Sequence, residues 1–569
     1  MEQVKTRWYK DAVVYQIYPR SFCDSDGDGI GDIRGIISKL DYLQALGITA
    51  VWLSPCYKSP NADNGYDISD YRDIMTEFGT LEDWKEMIAG MHSRGIRLIM
   101  DLVVNHTSDE HEWFKQSRSG KDNPYRDYYF WRKGRGPKGK RPPNNWTSRF
   151  GGSAWTYDET TQEWYLHLFN KKQPDLNWDN PKVRQEVADI CRYWLDLGVD
   201  GFRCDVITYI SKNILPDGTM PDGKFNIAIC GDEHFTHGPH IHEYLHTLNK
   251  DVLSHYDSMT VGEAQGVTIA EGLDYTDEAR EELDTVFQFE HMEIDSIGNL
   301  LPCRWKLPKL KSIFTRWQLG LYGKSWNSLY YENHDQPRAL GRFTGDYGAL
   351  HYEAAAMLAI STHFQQGTPY VYQGEEIGMT NYPFQSLDEM DDVLVKTIRS
   401  MPIFKMLPFH DRILLSVMRK RARDHARTLM QWSDEPNAGF TTAEKGWFVV
   451  NPNYTEINVD KALNDPNSLF YFYQKLIGLR RDKVIAPILR GGTYNLYYPK
   501  HKDLYVYTRS YRGELLLVVC NFKNKEVPFT VPNDIAFNEA ELVISSYRDT
   551  LPLGNRTLRP YEAFVYKLK

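Results

Sequence analysis

The sequence predicts an α/β protein: a (β/α)8 barrel with an inserted subdomain after its third strand and a C-terminal β-sandwich. Three observations lead there. Eight short β-rich apolar runs alternate with longer amphipathic stretches, the pattern that successive βα units produce. The connection Thr107–Trp178 is far longer than a loop and carries strand-like alternation of its own. From about Ala486 onward the helices stop, and strands joined by polar turns take over. A doubly wound open sheet is the structural alternative, but eight units favour closure.

The runs, in order, are "AVVYQIYPRSF" (Ala12–Phe22), "ITAVWLSP" (Ile48–Pro55), "RLIMDLVVNH" (Arg97–His106) and "VDGFRCDV" (Val199–Val206). "SMTVGEA" (Ser258–Ala264), "DTVFQFEH" (Asp284–His291), "SLYYENHD" (Ser328–Asp335) and "TPYVYQGEE" (Thr368–Glu376) complete the eight. Between them lie amphipathic stretches such as "LEDWKEMIAGMHSRG" and "NPKVRQEVADICRYWLDLG". The second has Asn180 as its N-cap, Pro181 at the first helical position and Gly198 past its end. The barrel therefore occupies residues 1–106 and 179–485, interrupted by the subdomain at 107–178. A second long insertion, 378–468, separates the eighth strand from its helix "LFYFYQKLIGLRRDK". Strands such as "LYVYTRSY", "ELLLVVCNF" and "EAFVYKLK" build the separate sandwich at 486–569.

Composition excludes several functions. Hydrophobic residues make up 41% and charged residues 25% of 569, a globular balance rather than a disordered one. Net charge is −9, and the one basic run, "RKGRGPKGKR" (Arg132–Arg141), reads as a solvated loop, so no nucleic-acid partner is expected. No run approaches 18 apolar residues, and the first sixteen are too charged for a signal peptide, so no membrane association is expected. The seven cysteines form neither a CxxC pair nor a dense framework, which fits reduced thiols in the cytoplasm. A monomer is expected.

The predicted strand ends are unusually polar. Strand three ends in Asn105 and His106, strand four in Arg203 and Asp205, strand five in Glu263, strand seven in His334 and Asp335. Active sites of (β/α)8 barrels form at this rim. Residues two apart on a strand share a face, so Arg203 and Asp205 lie side by side, and Cys204 between them points away as packing. Arg203 is expected to keep Asp205 ionised and oriented. Three carboxylates and two histidines without HxH or HExxH spacing suit acid–base work better than a transition metal. Two carboxylates flanking one bond are the equipment of glycoside hydrolysis.

"DLVVNH", "GFRCDV", "VGEAQG" and "ENHDQPR" occur in that order, with "QPDLNW", "VVYQIYPRSF" and "WLSPCYKSPNADNGYDISDY" beside them. In these motifs the chain resembles the α-amylase superfamily of glycoside hydrolases (family 13), over essentially its whole length. Within it, the oligo-1,6-glucosidase and α-glucosidase branch is the most similar. The resemblance implies that Asp205 is the nucleophile, Glu263 the general acid/base and Asp335 the third carboxylate, which stabilises the transition state. It places His106 and His334 on hydroxyls of the same sugar ring, with Arg203 beside the nucleophile. Tyr66 would be the stacking platform, and Phe150 and Phe169 apolar walls. Asp63 would pair with Arg427 to close the far side of a glucose pocket, making the enzyme exo-acting. Val206, directly after the nucleophile, accompanies α-1,6 activity in this branch. The substrates implied are small α-glucosides, isomaltose and isomalto-oligosaccharides. Two departures stand out: Ala264-Gln265 where relatives often carry Met-Pro, which leaves aglycone preference open, and Leu429 where proline is common.

"DSDGDGIGD" (Asp24–Asp32) is a second signal. Asp24, Asp26 and Asp28 fall at positions 1, 3 and 5 of a calcium loop, Gly29 at 6, the Ile30 carbonyl at 7 and Asp32 at 9. Position 12 is Gly35, so the bidentate glutamate is missing. A solvated acidic turn is the alternative. The resemblance agrees with a structural Ca2+, with Mg2+ as the other candidate, and implies no organic cofactor.

The same scaffold has other fates. Amino-acid transporter heavy chains carry a similar barrel without the full catalytic set, which is complete here. Sucrose isomerases carry an "RLDRD"-type stretch after the sixth strand, where this chain reads "EIDSIGNLLPCRWK". An α-1,4 or broad-specificity α-glucosidase, or a transglycosylase, shares every catalytic residue named.

Overall fold

A computed structural model describes residues 7–224, 229–297, 301–345, 348–400 and 409–569. Residues 298–300, within the stretch that bears on isomerase activity, and 401–408, within the second long insertion, lie outside it.

All eight predicted runs form strands of one parallel sheet: β1 (Val14–Ile17), β2 (Ala50–Leu53), β3 (Arg97–Leu102), β4 (Gly201–Cys204), β5 (Met259–Ala264), β6 (Thr285–Gln288), β7 (Ser328–Leu329) and β8 (Thr368–Tyr372). Their order is β6-β5-β4-β3-β2-β1-β8-β7, a barrel whose ladder is interrupted between β6 and β7. Side chains bridge that seam. Ser328 Oγ donates to Thr285 Oγ1 at 3.2 Å, and Tyr330 Oη to the Gln288 carbonyl at 2.8 Å. The strands are shorter than their apolar runs, and polar run ends such as Asn105–His106, Asp205 and His334–Asp335 leave the ladder for the rim, whereas Glu263 stays within β5.

Helices follow the strands in turn: α1 (Leu40–Leu46), α2 (Leu81–Ser93), α3 (Pro181–Asp196), α4 (Ile241–Asp251), α5 (Ile269–Thr276), α6 (Leu307–Leu321), α7 (His351–His363) and α8 (Leu469–Gly478). α3 begins as its sequence predicts, with Asn180 accepting from Lys182 N ahead of Pro181. It ends at Gly198, whose φ of +103° favours glycine. α2 starts with a reciprocal Thr80–Asp83 capping box. α7 is buried on every side from Ala354 to His363, because it lies between the barrel and the C-terminal sheet.

Within 107–178, Trp131–Arg132, Trp155–Asp158 and Glu163–Leu166 form a three-stranded antiparallel sheet. Helix α9 (Ile485–Gly491) carries the chain past residue 486, and the first C-terminal strand begins at Thr493. The strands there are β9 (Thr493–Tyr497), β10 (Leu504–Tyr511), β11 (Glu514–Asn521), β12 (Val527–Phe529), β13 (Ala540–Ser545), β14 (Arg556–Leu558) and β15 (Ala563–Leu568). A five-stranded sheet, β9-β10-β11-β15-β13, is accompanied by the ribbon β12–β14. Strict alternation divides its faces. Tyr505, Tyr507, Leu516, Val518 and Val565 join the core shared with the barrel, whereas Val506, Leu517, Val519 and Phe564 pack beneath the ribbon with Phe529 and Leu558.

Candidate active site

The barrel lumen is layered. Val14, Ala50, Ile99, Met259, Val261 and Phe287 fill its lower part with apolar side chains. One pleat higher, the same strands present Gln16, Trp52, Asp101, Arg203 and Glu263, and the layer turns polar while staying almost dry. Arg203 lies opposite Asp101 in the β3–β4 register. Its Nη1 donates to Asp101 Oδ1 at 2.6 Å and to Asp205 Oδ1 at 2.7 Å, and its Nη2 donates to Glu263 Oε2. One guanidinium thus holds three carboxylates, which is why the strand end buries a charge pair.

That arrangement corrects one expectation. Arg203 does not by itself keep Asp205 ionised. Burial pushes the Asp205 carboxyl well above the usual carboxylate range; Arg203 opposes this, but Glu263 and Asp101 add to it. Three carboxylates face one cation, and their mutual repulsion favours a proton held among them. Cys204 turns away into the core, as alternation requires.

Asp101 has no place in the sequence-based site, yet it anchors this layer. It also accepts from Trp52 Nε1 at 2.9 Å and Tyr66 Oη at 3.3 Å, and burial raises it to about 6. An aspartate inside the apolar run "RLIMDL" carries the same signal as the Arg203–Asp205 pair. Tyr66 stacks on His334 with centroids 5.5 Å apart and planes within 6°. Gln16 donates to His334 Nδ1 at 2.8 Å, which leaves the proton on Nε2, facing Tyr66 Oη at 2.8 Å. Burial lowers His334 to about 3 and His106 to about 4, so both are neutral.

Asp335 sits on the loop beyond β7. Burial opposes its ionisation, but His334, Arg423 and Arg427 outweigh it and hold the carboxyl far below the usual range. Arg427 reaches Asp335 Oδ1 at 2.8 Å and Arg423 at 3.3 Å. The expected direct pair between Asp63 and Arg427 is therefore not made: Asp335 takes the guanidinium. Asp63 instead accepts from Gln173 Nε2 at 3.1 Å, and burial raises it against the pull of Arg423 and Arg427. Gln173 also contacts His106 Nε2 at 3.1 Å, tying "QPDLNW" to the pocket. Arg423 is itself gripped by Asp392 at 2.7 and 2.9 Å. Both lie in the long 378–468 connection, where no periodicity marks a functional residue.

Phe150 and Phe169 stand edge to face, 5.8 Å apart, with Phe169 5.2 Å from His106 and Arg423 over Phe150 at 5.7 Å. Val206 adopts a left-handed conformation, φ +35° and ψ 39°, an outlier for a β-branched residue. That turn points its N–H at Glu263 Oε2, 3.3 Å away. Of the two departures, Gln265 Nε2 donates to Glu293 Oε1 at 3.1 Å. Leu429 N donates to the Val449 carbonyl at 3.2 Å, a bond that proline would forfeit.

The acidic loop lies apart from these residues. Oxygens of Asp24, Asp26 and Asp28 gather within 4.8 Å of one another. Asp28 is raised by burial and by Asp26, Asp24 and Asp32, a repulsion that a cation would relieve. Asp32 does not join the trio. It caps the helix Ile33–Ser38 through Gly35 N at 2.7 Å and holds Ser25 N and Oγ at 2.6 and 2.8 Å. The loop is fastened to the second insertion: Thr441 Oγ1 donates to Asp24, and Trp447 N to the Gly29 carbonyl at 2.8 Å.

A (β/α)8 barrel whose C-terminal rim gathers paired carboxylates on one arginine, with a third beside a histidine, defines a glycoside hydrolase. The chain belongs to the α-amylase family: residues 16–489 match the model described as "Alpha amylase, catalytic domain". It is 56% identical over 574 residues to the oligo-1,6-glucosidase of Parageobacillus thermoglucosidasius and 53% over 572 to that of Bacillus cereus, covering 100% of each pair. The crystal structure of Bacillus licheniformis trehalose-6-phosphate hydrolase superimposes with a TM-score of 0.92 at 44% identity, covering 99% of this chain and 100% of that one.

Proposed function

We propose that the protein is an exo-acting, retaining α-glucosidase that releases non-reducing terminal glucose from isomaltose and short isomalto-oligosaccharides. The observation that carries the mechanism is the shared guanidinium. Asp205 and Glu263 bond to adjacent nitrogens of Arg203. Carboxyls that share one guanidinium suit a retaining pair better than an inverting one, whose carboxyls stand roughly 6.5–9.5 Å apart to admit a water. In the first step Asp205 attacks the anomeric carbon while the proton of the pair passes through Glu263 to the leaving oxygen. In the second, Glu263 takes a proton from water, the water oxygen attacks the same carbon, and Asp205 leaves as α-glucose departs. Asp335 stabilises the positive charge of both transition states and, with His106 and His334, holds the ring hydroxyls. Tyr66, Phe150 and Phe169 supply its apolar walls.

Asp63, Arg423 and Arg427 surround the pocket end remote from Glu263, which supports attack at a chain end. The α-1,6 linkage rests on full-length similarity to two proteins named oligo-1,6-glucosidase and on Val206. A structural calcium ion, or magnesium in its place, held by Asp24, Asp26, Asp28 and the Ile30 carbonyl belongs to the same reading. It would join the loop to the segment carrying Arg427. No step needs an organic cofactor. Cytoplasmic residence is supported by seven cysteines that are all free thiols. Among the described residues no helix is long and apolar enough to cross a membrane.

The test is to supply isomaltose, maltose and sucrose separately and identify every product. Glucose released fastest from isomaltose is the expected result. Conversion of sucrose to an isomer without glucose and fructose would replace this reading with an isomerase.

A further inference from the structure

The loop that carries His334 and Asp335 closes on itself below the sugar pocket. Glu332, at its foot, accepts from Arg338 Nη1 at 3.1 Å and from Ala339 N at its far end. Both charged side chains are fully buried, 2% and 0% exposed. Arg338 also donates to the Gln373 carbonyl at 2.7 Å, and its backbone N to Asn381 Oδ1 at 2.8 Å, so the clasp is fixed to the end of β8. Asn333 Oδ1 takes Asp335 N at 2.8 Å within the loop. Behind Glu332 lies Glu375, and the two carboxyls line one cavity of about 20 Å³, room for a single water.

The charges do not balance. Glu332, Glu375 and Glu376 face one buried cation, Arg338. The other polar neighbours are tyrosines: Tyr473 donates to Glu375 at 2.8 Å, Tyr15 and Tyr42 to Glu376 at 2.8 and 2.6 Å, Tyr372 lies under Arg338 at 4.8 Å, and Tyr331 borders the cavity. Burial raises all three carboxyls. Glu332 has the guanidinium and the Ala339 N–H to oppose it, whereas Glu375 has the Tyr473 hydroxyl and a longer bond from Tyr372 N at 3.3 Å, so the negative charge falls to Glu332. Neutral carboxylic acids are the economical state for the others.

We propose that Glu332 is a positioning residue for the sugar-binding pair His334–Asp335, holding their loop shut as a carboxylate, and that Glu375 remains protonated behind it. The inference rests on the reading of Asp335 as the transition-state stabiliser. Burial first, and then Glu332, push Glu375 up to about 8, in keeping with this geometry.

Two variants separate the roles. Glu332→Gln presents an amide to two donors and opens the clasp. Its kcat on isomaltose should fall at least tenfold, and the Ki of a cationic iminosugar should rise in step, at a temperature where the variant remains folded. Glu375→Gln is the neutral isostere of the protonated acid and should keep wild-type kcat within about twofold near pH 6.5. Glu375 is protonated in the folded chain and ionised in the unfolded chain between about 4.5 and 8. Wild-type Tm should therefore fall as pH rises through that window, and Glu375→Gln should lose that part of the slope. Unchanged kcat and Ki in a folded Glu332→Gln would overturn the positioning role. An unaltered Tm slope in Glu375→Gln would overturn the proton assignment. If Glu332→Gln does not fold, Glu332→Asp replaces it with the same outcomes. Failure of the wild type to cleave any α-glucoside would overturn the proposed activity and leave the Tm result intact.

Discussion

Arg427 lies against Asp335, Nη2 to Oδ1 at 2.8 Å, and not against Asp63. A guanidinium that binds Asp335 in the free pocket must share that carboxylate with the glucose proposed to enter it. The pair also keeps Asp335 ionised: its carboxyl is held far below the usual range, so Asp205, raised by burial, takes up a proton first as pH falls. Arg427→Gln should lower kcat/KM about a hundredfold, roughly 2.7 kcal/mol, and leave the acid limb of the profile in place. Wild-type kcat/KM in the variant would remove Arg427 from Asp335's control.

Asp205→Asn should cost at least about a thousandfold in kcat, roughly 4 kcal/mol. The wild type should release glucose as the α-anomer, seen by NMR before mutarotation. Initial release of the β-anomer would falsify the assignment of Asp205 and Glu263.

Exhaustive chelation should lower Tm, because Asp24, Asp26 and Asp28 then repel without relief. Ser21, three residues before Asp24, donates to the Arg427 carbonyl at 2.7 Å. KM for isomaltose should therefore rise more than kcat falls. A chelated protein with unchanged metal content and Tm would return the loop to a solvated acidic turn.

Val206→Ala should shift kcat/KM towards maltose. The side chain is stiff at χ1, and its turn sets the residue next to Glu263, the proposed proton donor to the leaving sugar. An α-1,6 aglycone hangs on an extra exocyclic rotor and swings clear, while an α-1,4 aglycone presses on the methyl groups. The shift should be on the order of 1–3 kcal/mol. A wild type that prefers maltose, or a variant with an unchanged ratio, counts against it.

Lys311 on α6 donates to the carbonyls of Tyr498, His501 and Leu504 at 2.6, 2.9 and 2.8 Å and is fully buried. It fastens the β9–β10 turn to the barrel. Lys311→Met removes three hydrogen bonds, leaving the Tyr498 carbonyl its bond from His501 N at 3.0 Å, and should lower stability by at least about 2 kcal/mol, measured by denaturant unfolding. Activity of the folded fraction should be unchanged.

The barrel was legible because its cause is local. Apolar runs of strand length alternate with capped amphipathic helices, and Asn180, Pro181 and Gly198 mark one helix to the residue. The rim was legible for a related reason: a charged residue inside an apolar run, as at Arg203, is costly unless it has a task. Asp101 carries that signal too, although the polar end of the same run, Asn105 and His106, draws the rim assignment further along. Arg423 and Asp392 gave no signal, since a long connection has no period to violate.

Sequence by itself determined the eight βα units, the three carboxylates and the acidic loop, because alternation and spacing depend on near neighbours along the chain. Tertiary structure decided how the charges are shared. Arg203 is divided among Asp101, Asp205 and Glu263, Arg427 turns to Asp335 instead of Asp63, and Asp32 caps a helix instead of joining Asp24, Asp26 and Asp28. Each choice is a competition for one partner between groups from different strands. A partner in a low-dielectric interior goes to whichever group the fold brings within about 3 Å, and that distance is set by packing across the whole barrel.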